Sequence, residues 1–185
     1  MRKKYLAIDL RGYPSPWYET VCQVVPVYHA PSTTRDNPTG VEITHVSQLK
    51  HVSKADLIFA AGGSTKKNRK FLKSKRIHVL AHPYPFDSFQ ARLAAEHTIG
   101  IELCFAEILY ASGYMRAKIL KQLQTTIKLA KKYHAPIIIT SGATCQSDVL
   151  SPRALVAFGK VLGLEYGEAK AALWNMPKKM LGGIE

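Results

Sequence analysis

No run in the chain approaches the ~20 apolar residues that a membrane helix needs. The opening Met1-Arg-Lys-Lys-Tyr-Leu-Ala-Ile-Asp9 holds too short an apolar stretch for a signal peptide, and reads as a first strand. Cysteine is scarce and scattered. Cys22, Cys104 and Cys145 are odd in number and form no C-x-x-C, which excludes a disulfide framework or a zinc ribbon. Reduced thiols in a cytoplasmic protein are the simple expectation. No G-x-G-x-x-G or P-loop occurs, which weighs against the open-sheet nucleotide binders. H-x-H, H-E-x-x-H and G-x-S-x-G are also missing, so there is no ready metal helix and no nucleophile elbow at Ser141. Neither a repeat nor a low-complexity linker divides the chain, and a single domain over residues 1–185 is expected.

Acidic residues are the other shortage. Against 26 Lys and Arg stand 13 Asp and Glu, a formal charge of +13. Such an excess costs self-repulsion and is commonly retained because a polyanion compensates it. Nucleic acid is the first choice of polyanion and an acidic membrane surface the second. The shortage is also uneven: residues 57–86 and 108–147 contain no Asp or Glu. The first window holds Lys66, Lys67, Arg69, Lys70, Lys73, Lys75 and Arg76. The second holds Arg116, Lys118, Lys121, Lys128, Lys131 and Lys132. Solvated faces usually mix both signs, because like charges repel. Concentrated cations raise the case for a polyanion-binding surface, with phosphate contacts and strong salt dependence.

What is present alternates. Short apolar runs at 4–10, 21–29, 41–46, 56–60, 76–82, 98–105 and 136–140 read as strands. Helical patterns separate most of them, at 64–75, 87–96, 114–133 and 152–162. The result is an α/β chain of βα units, with about seven mostly parallel strands in a barrel or an open sheet. In the helix over 114–133, Leu120, Leu123, Ile127 and Ala130 form one stripe, opposite Lys118, Lys121, Lys128 and Lys132. The stripe is core; the lysines are either a solvated face or an RNA footprint.

The junction from Thr140 to Arg153 is the most informative segment. A β-branched strand ends in Ser141, Gly142 and Ala143, and after a polar loop Ser151 caps a helix with Pro152 at its first position. Free amides and the Arg153 guanidinium there could grip a phosphate, although capping alone accounts for Ser151 and Pro152. Tyr84, Phe86 and Phe89, after His82, either stack on bases or close the core. A metal-dependent phosphoesterase would draw on His29, His82, Asp87, Glu102 and Asp148, which lie on or just past predicted strands but share no ligand spacing. His82 otherwise reads as an ordinary strand-end histidine, and Glu102 as a core-edge acid paired to a base. Cys104 and Cys145 have no evident activating base.

The segments Ile137-Ile-Ile-Thr-Ser-Gly-Ala143, Asp148-Val-Leu-Ser-Pro-Arg153, Gly159, Gly163-Leu-Glu165 and Ala169-Lys-Ala171 resemble the family of archaeal ribonuclease P protein component 3. That family includes a subunit of eukaryotic ribonuclease P and ribonuclease MRP. Gly100-Ile-Glu-Leu103, Leu109-Tyr110, Arg116-Ala117 and Ile8-Asp-Leu-Arg11 are similar to it as well. The resemblance implies a single-domain, TIM-barrel-like fold related to the polymerase-and-histidinol-phosphatase phosphoesterases. It implies a subunit that binds the catalytic RNA and supports removal of the 5′ leader from precursor tRNA. The chemistry would be carried by RNA with magnesium, and the protein would hold no cofactor or catalytic residue of its own. A small ferredoxin-like partner, component 2, is implied too, in a dimer of heterodimers.

By the same resemblance, Arg153, Lys170, Arg116 and Lys128 match basic positions of the family, and the cluster Lys66, Lys67, Arg69 and Lys70 joins them as candidate RNA contacts. Leu150 and Ala154 stand where the family often has Arg and Asp, and Phe105 or Ala106 where a basic residue is common. The histidines that follow the first strand in related phosphoesterases are replaced by Asp9-Leu-Arg11. Two other readings compete: the metal phosphoesterase, and a protein-binding scaffold whose charge is incidental.

Overall fold

In the computed structural model, residues 7–27, 37–52 and 55–182 are described. The β-branched and apolar runs become short strands: β1 (Ile8–Asp9), β2 (Thr20–Val21), β3 (Gln23–Pro26), β4 (Thr39–Ile43), β5 (Leu57–Ala61), β6 (Val79–Ala81), β7 (Gly100–Cys104) and β8 (Ile137–Thr140). Strands β3 to β8 form a sheet in sequence order, with every neighbour parallel. Parallel pairing needs crossovers. They are supplied by α1 (Thr65–Lys73), α2 (Ser88–Glu96) and, after the short α3 (Ala106–Leu109), by α4 (Gly113–Tyr133). Three further helices follow β8: α5 (Pro152–Leu162), α6 (Tyr166–Leu173) and α7 (Asn175–Gly182).

Side chains alternate across each strand and sort into separate cores. One face sends Leu57, Phe59, Val79 and Ile138 inward, against Ile8, Leu10, Cys22 and the α7 residues Met176 and Met180. The other sends Ile58, Ala60, Leu80 and Ile101 against Phe71, Leu72, Ala91, Ala94 and Ala130 of the helices. Leu103 and Ile139 meet Leu123, Ile127, Leu155, Phe158 and Ala169. The curled sheet is drawn together through β1, which pairs with β2 while the residues after β8 bond to its end. Ser141 N–H donates to Asp9 Oδ1 at 3.2 Å, and Gly142 N–H to Arg11 O at 2.9 Å. Gly142 is required there: its φ is +67°, and a Cβ would lie 2.5 Å from Cys104 Sγ.

The TIM-barrel-like α/β expectation stands, with one correction of strand count. The run expected over 21–29 is interrupted at Cys22, whose N–H turns to Asp9 O at 2.8 Å, so one predicted strand becomes β2 and β3 with different neighbours. Its end, with His29, lies outside the described residues. The strand expected over 41–46 begins earlier, and Val46–His51 is a 3-10 turn. Helices α1, α2, α4 and α5 fall within two residues of expectation at each end, while α3, α6 and α7 had not been expected. Ser151 caps α5 as expected, its Oγ accepting from Ala154 N–H at 3.3 Å. Among the described residues, no helix is long and apolar enough to cross a membrane.

Candidate nucleic-acid interface

The C-terminal end of a parallel barrel is where such folds place chemistry, and here that mouth is occupied by Arg11. Its Nε donates to Glu102 Oε1 at 2.9 Å and its Nη2 to Glu42 Oε1 at 2.7 Å, with the guanidinium 4.8 Å from the Phe59 ring centroid. Burial works against the charge on Arg11, but Glu102 and Glu42 outweigh it and hold the guanidinium protonated. Glu102 is fully buried and also accepts from Thr140 Oγ1 at 2.8 Å; its Oε2 has no partner among the described residues. Burial pushes the neighbouring Asp9 carboxyl up to about 7, against the lowering effect of donors on Ser141 and Arg11.

Of the phosphoesterase candidates, the four among the described residues each have partners within the fold. Glu102 is the acid paired to a base that the sequence suggested. His82 Nδ1 pairs with Glu107 Oε1 at 2.8 Å, and Glu107 raises its pKa against the lowering effect of burial. Asp87 caps α2 through Gln90 N–H at 2.8 Å and takes Arg69 Nη2 at 2.7 Å. Asp148 accepts from Tyr110 and from Cys145 in an exposed loop. Among the described residues no group of His, Cys, Asp and Glu converges to hold a metal ion. Burial pushes the Cys22 and Cys104 thiols up to about 12, so both stay protonated.

The helical layer presents the opposite chemistry. On α1, Phe71 and Leu72 are buried, and the outward face places Thr65, Lys66, Arg69, Lys70 and Lys73 around a groove of about 390 Å³. Arg69 and Lys73 lie 5.1 and 5.8 Å from the Phe89 ring, which is exposed, while Phe86 is buried in the core with Phe71 and Leu80, and Tyr84 packs on the separate core of Leu103 and Ile139. Phe86 and Tyr84 thus close the core, and Phe89 stays at the surface. Lys67 points elsewhere: its Nζ donates to Gly62 O at 3.2 Å, at the end of β5. A buried Asn68 braces this region by donating to Pro83 O at 2.6 Å and accepting from Gly63 N–H at 3.1 Å.

A second groove, of about 310 Å³, lies between α5 and α6. Pro152, Val156 and Leu173 contribute apolar surface, and Arg153, Lys160, Lys170 and Tyr166 supply the polar groups. Arg153 and Lys160 stand two turns apart on one face of α5, and Lys170 is one turn beyond Tyr166 on α6. The Lys170 Nζ is 5.5 Å from the Tyr166 ring centroid. The fold joins Arg153 with Lys170 here, and Lys66 with Arg69 and Lys70 on α1. Arg116 and Lys128 are exposed on α4 and reach neither groove. Lys160 and Tyr166 were missed by sequence reasoning, although the spacings 153/160 and 166/170 carried the signal, while Lys73 belongs to the basic window already noted.

The positions that depart from the expected basic pattern turn inward. Phe105 meets the Phe158 ring edge-on at 5.2 Å, and Leu150 packs on the same core while its carbonyl accepts from Tyr18 OH at 2.7 Å.

A family model described as RNase P subunit p30 matches residues 38–183. "Ribonuclease P protein component 3" of Methanosarcina mazei is 32% identical over 161 residues, covering 84% of this chain and 66% of the relative. The protein of the same description from Methanothermobacter thermautotrophicus is 31% identical over 138 residues, covering 71% of this chain and 56% of the relative. The chain thus spans between half and two thirds of the length of these relatives. Among solved structures, a chain in a cryo-EM structure of archaeal ribonuclease P with mature tRNA superposes with a TM-score of 0.81 at 24% identity. That match covers 96% of this chain and 90% of the other, and supports the barrel-like fold. The chain belongs to the RNase P subunit p30 family.

Proposed function

We propose that this chain is a protein subunit of ribonuclease P that binds the catalytic RNA through its outer helices and supports removal of the 5′ leader from precursor tRNA. The observation that carries this reading is the gathering of exposed cations on the outer helices: Lys66, Arg69, Lys70 and Lys73 line the α1 groove and Arg153, Lys160 and Lys170 the α5–α6 groove, whereas the barrel mouth neutralises its cation. Cations so placed serve phosphate contacts, which position an RNA without reading its sequence. Family membership names which RNA to test. Lys66, Arg69 and Lys70 would contact one stretch of backbone and Arg153 with Lys170 another; Arg116 and Lys128 would add contacts along α4. The magnesium of the reaction would be held by RNA, and the chain would work beside component 2, the ferredoxin-like partner, as a dimer of heterodimers.

Reconstitution tests the proposal. Ribonuclease P RNA and the remaining protein subunits are assayed on precursor tRNA with and without this chain. A higher rate, or a lower magnesium requirement, is expected in its presence; unchanged kinetics at every magnesium concentration would refute the role.

A further inference from the structure

We propose that the α5–α6 groove takes one unstacked nucleotide of single-stranded RNA, its base against Tyr166 and its phosphates on Arg153, Lys160 and Lys170. The inference rests on the RNA-binding reading and adds to it a base-binding residue and a ligand class. Phosphate contacts need only cations at the surface, and the α1 groove is lined in that way, by Thr65 and basic residues. The α5–α6 groove differs in its lining, for the exposed Phe89 ring beside Arg69 and Lys73 is not part of the α1 groove's lining. Its lining includes the apolar side chains of Ala7, Pro152, Val156 and Leu173, which phosphate cannot use. It also carries an aromatic ring at its edge: Tyr166 begins α6 and leaves 57% of its surface exposed.

An exposed ring beside an apolar floor suits the face of a base, and stacking tolerates any base because all have a π-face. The cations complete the site. Lys170 is already held near the Tyr166 ring, and a cation beside such a ring is favoured by the ring's quadrupole. Arg153 and Lys160 lie on the α5 side. Among the described residues none that lines the groove is acidic, and its three cations suit a polyanion. The volume, about 310 Å³, is at the small end for binding clefts, roughly 300–1,000 Å³. It has room for a nucleoside and none for a base-paired helix.

The test uses the full chain, a short labelled oligouridylate, and the same oligomer with abasic sites, titrated by fluorescence anisotropy at several salt concentrations. Tyr166→Ala should weaken oligouridylate binding about tenfold without changing the salt slope. Tyr166→Phe should bind like the original chain. The abasic oligomer should bind the original chain no better than oligouridylate binds Tyr166→Ala. Lys160→Gln and Lys170→Gln should each lower the salt slope, by about 0.7.

Equal binding by Tyr166→Ala, or of the abasic oligomer, would overturn the nucleotide site while the lysine effects left the RNA-binding reading intact. Absence of salt-dependent binding to the oligomers and to ribonuclease P RNA would overturn both. If oligoglutamate displaced oligouridylate equally from the original chain and from Tyr166→Ala, the groove would belong to an acidic protein and the nucleotide site would fall.

Discussion

Arg11, in the barrel mouth, is enclosed by Glu42, Glu102 and the Phe59 ring, whereas Lys66, Lys70 and Lys73 line an open groove beside Arg69, which alone of these groove cations pairs with an acid, Asp87, among the described residues. Both regions hold positive charge, but under different rules. In the mouth, taking a guanidinium out of water is costly and is offset only by good geometry with its acids. On the helices, water solvates each ammonium, and the cost is mutual repulsion that a phosphate backbone would relieve. The inner charge is therefore committed to the fold, whereas the exposed lysines of the α1 groove face solvent.

The sharpest way to break this contrast is at Arg11. Arg11→Met leaves Glu102 buried without its cation, and should destabilise the chain by about 3–5 kcal/mol in urea unfolding. A much smaller loss would mean that the mouth is wet and adaptable. Asp9 offers the next largest effect. With its carboxyl raised from 3.8 to about 7, the folded chain binds that proton more tightly than the unfolded chain does. The contribution is full below about pH 4 and is lost as pH rises through 7, at a slope approaching 1.4 kcal/mol per pH unit. Asp9→Asn should remove that slope from stability measured between pH 4 and 8. If the variant tracked the original chain at every pH, Asp9 would be ionised in the fold.

Much of the outer layer was legible in the sequence because helix signals are local. The Ser151-Pro152 start, the helix over 87–96 and the Leu123, Ile127, Ala130 stripe each lie within a few turns and were read correctly. The barrel mouth was not, beyond Glu102 being paired. Arg11 meets an acid 91 residues away, and only the curl of the sheet brings them together. The site residues show the same limit. Composition located the basic windows, but not that Lys67 turns to Gly62 or that Arg153 and Lys170 share a groove. Tyr166 escaped notice because it opens a helix of only eight residues with a weak amphipathic pattern.

The smallest stability change, and the most direct test of the central claim, comes from the outer cations. Replacing Lys66, Lys70, Arg153 and Lys170 together by Gln should leave unfolding stability within about 1 kcal/mol, since each is exposed. The decisive measurement is the affinity of the original chain and this variant for ribonuclease P RNA as a function of salt. A steep slope for the original chain, reduced by about 3 in the variant, is the predicted result. A slope that is flat in both, or identical in both, would contradict the assignment of RNA binding to the outer helices.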